Sequence, residues 1–227
     1  MIKEMSERKG QLYVVATPIG NPKDITLRAV EVLQNVQAII CEEHRIGSTL
    51  LKKLGIQKEI IVLNEHNEAE KAPDVARRIL MGESMALISD CGTPVFADPG
   101  ASLIAHLAEW EVPVTPIPGP SSLMAALSVL DFRLERFHYA GFLPRDKTER
   151  RNTLRGLRNL RVPIVVMDTP YRLMQVLDDV ASVFGGNARI TLCLDLTLPG
   201  ETIFRGKIDE VQHKIKEKKS EFILIIH

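Results

Sequence analysis

Leu87-Ile88-Ser89-Asp90-Cys91-Gly92-Thr93-Pro94-Val95-Phe96-Ala97-Asp98-Pro99-Gly100 decides how the rest of this chain is read. The apolar run Met85 to Ile88 reads as a buried strand that stops at a polar turn. Two glycines, two prolines and two aspartates then fall between Asp90 and Gly100. Glycine permits close backbone approach to a ligand, and proline fixes φ and removes a donor. Rigid backbone carrying carboxylates at the carboxyl end of a strand is where open α/β sheets bind small molecules.

Before that stretch, apolar runs at Gln11–Ala16, Ala38–Cys41 and Ile60–Leu63 predict three strands, with helices between them from Asp24 or Thr26 to Leu33 and over Ser48–Leu54. A further helix is expected over Ala72–Met81. After it come a helix at Ala101–Trp110, an extended Val112–Pro116, and a helix capped by Ser121 or Ser122 that runs to Leu130. Strands alternating with helices at this spacing mean βαβ units and a largely parallel sheet. Asp131–Arg136 reads as a connection, after which the pattern restarts. Strands are expected at Phe137–Phe142, Ile164–Met167, Ile190–Leu196 and Phe222–Ile226, with Glu201–Arg205 extended. Helices are expected at Asp146–Leu160, Leu173–Val183 and Ile208–Lys218. The fold class is therefore α/β, as two α/β domains with mainly parallel or mixed sheets, 1–134 and 135–227.

Composition narrows the class of partner. The 227 residues are 45% hydrophobic and 26% charged, enough apolar content for full cores. Basic and acidic residues number 29 each, so no whole-molecule field draws in nucleic acid or membrane, and any polyanion must meet a local patch. The N-terminus, MIKEMSERKG, is charged, and no apolar run has membrane-spanning length. Cys41, Cys91 and Cys193 form no CxxC pair, which argues for reduced thiols in a cytoplasm and against a zinc ribbon. The scattered histidines suggest no metal site. There is no GxGxxG after the first strand, no GxxxxGK[ST] and no GxSxG, which sets aside dinucleotide binding, a P-loop and a serine hydrolase elbow.

What remains is a set of strand-end loops: Thr17–Pro22, Cys41–Arg45, Asn64–Glu68, Asp90–Gly100 and Pro118–Ser122. In a parallel sheet they share one edge and form a cleft walled by turned backbone and carboxylates, suited to a ligand that carries the chemistry itself. Glu42, Glu43 and His44 are the candidates to orient or deprotonate an acceptor hydroxyl. His66 faces the same choice, and the cysteines read as small buried hydrophobes.

Four of these stretches also carry a resemblance. Leu12–Ala29 with Thr17-Pro18-Ile19-Gly20-Asn21-Pro22 at its centre, Ser89–Pro94 with Asp98-Pro99-Gly100, Pro116–Ser122, and Gly141-Phe142-Leu143-Pro144-Arg145 resemble, in order and spacing, the signatures of the bacterial small-subunit ribosomal RNA cytidine 2′-O-ribose methyltransferases, within the tetrapyrrole methylase superfamily. The resemblance spans residues 11–211. It implies a two-domain protein, usually a homodimer, that binds S-adenosylmethionine in a cleft between its domains.

By position, the cofactor's methionine part would be held by the loops containing Asp90, Gly92, Thr93, Pro94 and Asp98 and by Pro118, Gly119, Ser121 and Ser122, with Pro18 and Gly20 nearby. Its adenosine would lie near Met167, Leu194 and Pro199. The chain departs from the family pattern at Cys41-Glu42-Glu43-His44-Arg45, where Ala-Glu-Asp-Thr-Arg is usual, and at Asp195-Leu196-Thr197-Leu198, where Glu-Leu-Thr-Lys is usual. Family members also usually continue beyond the last strand, where this sequence stops at His227.

Leu143 to Arg161 holds seven basic residues against two acidic ones, a local net of +5, with Arg145, Arg150, Arg151 and Arg155 as candidate phosphate contacts. The lysines from Lys214 to Lys219 read as a solvated helix end. The expectation is a cytoplasmic S-adenosylmethionine-dependent methyltransferase, acting on a ribose 2′-hydroxyl of ribosomal RNA or the small subunit, with neither metal nor membrane. Two other readings stay open: methylation of a tetrapyrrole or other small metabolite, and a cofactor-binding module without turnover.

Overall fold

A computed structural model describes residues 9–96, 98–215 and 219–227. The start of the charged N-terminus, Ala97 and part of the Lys214–Lys219 run lie outside the described residues. The chain divides into two compact units, Met1–Ser121 and Ser122–His227.

The first unit holds five strands, β1 (Leu12–Val15), β2 (Ala38–Cys41), β3 (Glu59–Val62), β4 (Met85–Ile88) and β5 (Val114–Ile117), in the order β3-β2-β4-β1-β5. All neighbouring pairs are parallel, with Val15 opposite both Ile88 and Ile117. The helices between them are α1 (Leu27–Asn35), α2 (His44–Lys53), α3 (Glu68–Leu80) and α4 (Ala101–Glu109). Strand alternation sends Leu12, Ile40, Met85 and Leu87 into a core with α3 and α4, and Val15, Ile39, Cys41 and Ile88 into one with α1 and α2.

Right-handed crossovers explain that division. The chain moves one way along the sheet through β1, β2 and β3, then back through β4 and β5. The neighbours β4 and β1 therefore send their chains in opposite directions, which opens a crevice at their carboxyl ends.

The Thr26 side chain caps α1, accepting from the Ala29 N–H at 3.1 Å. Helices α2 and α3 each begin four residues before the expected start. The first turn of α3 is polar rather than apolar, and its Glu68 and Glu70 suit the positive end of the helix dipole.

The second unit contains β6 (His138–Gly141), β7 (Ile164–Asp168), β8 (Arg189–Leu194), β9 (Thr202–Lys207) and β10 (Phe222–Ile226), ordered β6-β7-β10-β8-β9. Among the described residues only β6 and β7 pair in parallel, so this sheet is mixed. Phe222 stands opposite Asp168 and Leu194, which puts the ends of β7 and β8 on the same edge. One face packs with α6 (Lys147–Arg158), α7 (Leu173–Phe184) and α8 (Ile208–Lys214). The other receives α5 (Ser122–Ser128), whose buried Ala126 meets Val165, Cys193, Ile223 and Ile225. That packing is why the division falls after Ser121 rather than near residue 134: the helix that follows Pro118–Ser121 completes the second core.

Candidate active site

In the first unit the motif loops are fastened to one another at the crevice. The Thr17 N–H donates to Gly92 O at 2.8 Å, and its buried hydroxyl donates to Ser89 O at 2.9 Å. Thr93 Oγ1 donates to Pro120 O at 3.2 Å, and Cys91 Sγ to Ile19 O at 3.4 Å. The loops after β1, β4 and β5 are thus one structure. Gly92 has φ +88°, and a Cβ there would lie 3.1 Å from Ile19 Cγ2, so this crossing of loops needs glycine.

Beside this knot lies a cavity of about 650 Å³, within the size range of small-molecule sites. Pro18, Gly20, Ser89 and Asp90 line one side, and α2 supplies the other. Helix α2 can come this close to the sheet because Gly47 is buried against β2, where a Cβ would lie 2.8 Å from Cys41 Sγ.

The sheet edge is acidic. Burial pushes both Glu42 and Asp90 above the ordinary carboxylate range, and the neighbouring charges add to it, those of Asp90, Asp98, Glu65 and Glu43 on Glu42 and those of Glu43 and Asp98 on Asp90. The Glu43 N–H donates to the Asp90 carboxylate and only partly offsets this. Asp90 Oδ1 is buried without a hydrogen-bond partner among the described residues. A buried, unpartnered carboxylate oxygen among like charges is an arrangement that a cationic ligand relieves.

Glu43 lines the cavity, whereas His44 sits exposed in the first turn of α2. Burial also pushes Cys41 up to about 11, with Asp90 and Glu43 adding to it, so this thiol is not a nucleophile at neutral pH. Pro94 is buried, Pro118 and Gly119 stand exposed after β5, and Ser121 ends the unit.

Glu68 has a role the sequence did not announce. Its Oε1 accepts from the Gly100 N–H at 3.0 Å and the Ser102 N–H at 2.8 Å, capping α4 from the first turn of α3 and tying down the end of the Asp90–Gly100 loop. Glu68→Ala is expected to lower stability by about 1–2 kcal/mol, the scale of a lost helix cap. Denaturant unfolding checks this, and a midpoint equal to the native protein's would refute it.

In the second unit two arginines hold the Gly141–Arg145 loop. Arg172 Nη2 donates to Leu143 O at 2.9 Å and Pro144 O at 2.7 Å, while Arg150 Nη1 donates to Pro144 O at 3.1 Å and Arg145 O at 2.8 Å. Their charges are met by Asp168 and Asp179 respectively.

This corrects the reading of the basic helix. Arg150 is buried and bonded to Asp179 at 2.7 Å, and Arg151 Nε reaches the same carboxylate at 2.6 Å, so neither presents a free guanidinium to phosphate. Arg155 bonds Asn152 Oδ1 but stays exposed, as does Arg145. Met167 accepts from Tyr139 Oη at 3.4 Å, Leu194 is buried at the end of β8, and Pro199 is exposed beyond it. Asp168, missed in the sequence, is a second buried carboxylate, and its Oδ2 has no hydrogen-bond partner among the described residues.

The sequence profile of the Tetrapyrrole (Corrin/Porphyrin) Methylases matches residues 11–212. This chain belongs to that family. Among methylase relatives, Ribosomal RNA small subunit methyltransferase I of Escherichia coli O157:H7 is 37% identical over 222 residues, covering 96% of this chain and 78% of that protein. The protein of the same name from Halalkalibacterium halodurans is 34% identical over 225 residues, covering 98% and 78%.

Solved methylases share the fold. Cobalt precorrin-4 methyltransferase, a cobalamin biosynthetic enzyme, superposes with TM-score 0.66 at 16% identity, covering 95% of this chain and 94% of that one. Uroporphyrin-III C-methyltransferase from Thermus thermophilus, complexed with S-adenyl homocysteine, gives 0.66 at 18% identity over 95% and 97%.

Proposed function

We propose that this methylase transfers a methyl group from S-adenosylmethionine to a ribose 2′-hydroxyl of a cytidine in small-subunit ribosomal RNA. The observation that carries the reading is the fastening of three motif loops around Asp90, in a chain whose curated relatives at 34–37% identity are named for ribosomal RNA methylation. The residues fit the cofactor. Its sulfonium and amino groups are positive, and Asp90 offers a buried oxygen lacking a donor. The loops with Gly92, Thr93, Pro94 and Asp98 and with Pro118, Gly119, Ser121 and Ser122 would hold its methionine part, beside Pro18 and Gly20. By the family resemblance, Met167, Leu194 and Pro199 would meet its adenosine.

When bound, S-adenosylmethionine supplies an already activated methyl group. The protein's share is then alignment, exclusion of water and acceptance of the hydroxyl proton. Of the three proton-acceptor candidates, Glu42 has the most suitable character. It is half-buried, and burial together with four neighbouring carboxylates raises its pKa above the ordinary carboxylate value. Glu43 borders the cavity, and His44 remains as a flanking group at the helix start. Arg145 and Arg155, both exposed, are the α6-side phosphate contacts that remain. The enzyme would work in the cytoplasm as a homodimer, without a metal.

Incubation with methyl-labelled S-adenosylmethionine and unmodified small ribosomal subunits is expected to label the RNA at one cytidine ribose. Label on a small metabolite and none on RNA would overturn the reading.

A further inference from the structure

The cations best placed to hold the acceptor are not on the basic helix α6. Of its arginines, Arg150 and Arg151 are bound to Asp179, Arg155 to Asn152 and Arg158 to Val183 O. The helix is basic in sequence, but most of its guanidiniums serve its own unit.

The cavity wall tells a different story. Arg45, Thr49 and Lys53 follow at intervals of four along α2, which puts them on one helix face, and all three line the cavity. All three are exposed. Neither cation has an ion-pair partner among the described residues. Thr49 Oγ1 donates to Arg45 O at 2.7 Å, so its hydroxyl proton is already used within the helix. At the sheet end of the same cavity stand Glu43 and Asp90. The cavity is therefore polarised, with carboxylates at one end and two uncompensated cations along its helical wall.

An anion with a neutral, hydroxyl-bearing body suits that gradient. S-adenosylmethionine, with two positive groups and one carboxylate, does not suit the basic wall. We infer that Arg45 and Lys53 bind the phosphates flanking the acceptor ribose, so that the sugar hydroxyl is directed toward the carboxylate end. This rests on the RNA-methylating reading above and names the residues that would seat the RNA. Binding by two phosphate contacts is chiefly electrostatic and answers to salt.

The test uses the full chain and unmodified small-subunit ribosomal RNA transcribed in vitro. Arg45→Gln/Lys53→Gln, separately Arg45→Glu/Lys53→Glu, and Arg155→Glu on α6 are measured for RNA affinity across a salt series, for S-adenosylmethionine affinity by calorimetry, and for melting temperature. The neutral pair is expected to weaken RNA binding about tenfold or more and to reduce the salt slope by about two, with cofactor affinity and melting temperature at native values. The reversed pair should weaken it further. Native RNA affinity and salt slope in the neutral pair would overturn the inference. So would a parallel loss of cofactor affinity, which would assign the α2 wall, as well as the Asp90 end of the cavity, to the cofactor. A loss confined to Arg155→Glu would return the contact to α6. If the native protein neither binds this RNA nor labels RNA in the subunit assay above, the functional reading itself fails, and the native control shows that before any variant is compared.

Discussion

Asp179→Ala is expected to be the most destabilising single substitution in the second unit. The Asp179 side chain is 2% exposed and that of Arg150 is 4% exposed, so the pair sits out of water. Asp179 Oδ2 takes Arg150, and Oδ1 takes Arg151. Arg150 in turn holds the carbonyls of Pro144 and Arg145. Removing the carboxylate leaves a buried guanidinium uncompensated and a motif loop held by a charge that no longer has a reason to stay inside. Breaking a buried pair from one side costs about 3–5 kcal/mol.

For a chain of this size each kcal/mol is worth about 2–4 °C, so the melting temperature should fall by roughly 6–20 °C. Asp179→Asn, which keeps an acceptor, should fall between the native protein and Asp179→Ala. Arg155→Ala, on the exposed face of the same helix, should stay within about 0.5 kcal/mol. A thermal melt of the three decides it, and equal melting points for Asp179→Ala and Arg155→Ala would sink the account. The same physics bears on any RNA-binding assay of Arg150: a loss there reports an opened loop unless the melt is unchanged.

The strands were legible because buried β structure writes itself as short apolar runs. Ala38–Cys41, Met85–Ile88 and Phe222–Ile226 fall where the sequence places them. The strand-end loops of the first unit were legible too, since parallel strands leave no choice about which edge those loops share. Polar partnerships were not. Arg150 and Asp179 lie 29 residues apart, and Glu68 and Gly100 lie 32 apart, on elements whose packing alone brings them together.

A charge run in a sequence therefore says how many cations there are, not how many are spent. The run at Leu143–Arg161 looked richer than Arg45 and Lys53, yet burial and internal pairing reverse that ranking. Helix starts erred for a related reason. Polar first turns satisfy N–H groups and the dipole, and they carry no apolar period by which to find them.

The second large effect is expected at Asp90, with opposite signs for binding and stability. Asp90→Asn keeps the shape of the side chain and an oxygen for the Glu43 N–H, but removes the charge. If Asp90 faces the positive groups of S-adenosylmethionine, the loss is that of a hydrogen bond to a charged group, about 1.5–3 kcal/mol. Calorimetry should then show cofactor binding weakened by roughly 10- to 100-fold, with turnover falling at least as far.

Stability should move the other way. Burial, with Glu43 and Asp98 adding to it, holds the Asp90 pKa above the ordinary carboxylate value of about 4. Between those two values the native state keeps a proton that the unfolded chain has lost. Stability therefore declines as pH rises through that window, and the native protein carries the cost at neutral pH. The asparagine variant escapes it, so its melting temperature at neutral pH should equal or exceed the native one, and Glu42, which feels Asp90, relaxes as well.

Cofactor affinity of the native protein should run against its stability. Binding needs the carboxylate, so it strengthens as pH rises through the interval in which the fold loses stability. A residue that merely held the loop together would lose stability and affinity together on substitution. A lower melting temperature in Asp90→Asn, or unchanged cofactor affinity, would remove Asp90 from the cofactor's side of the site.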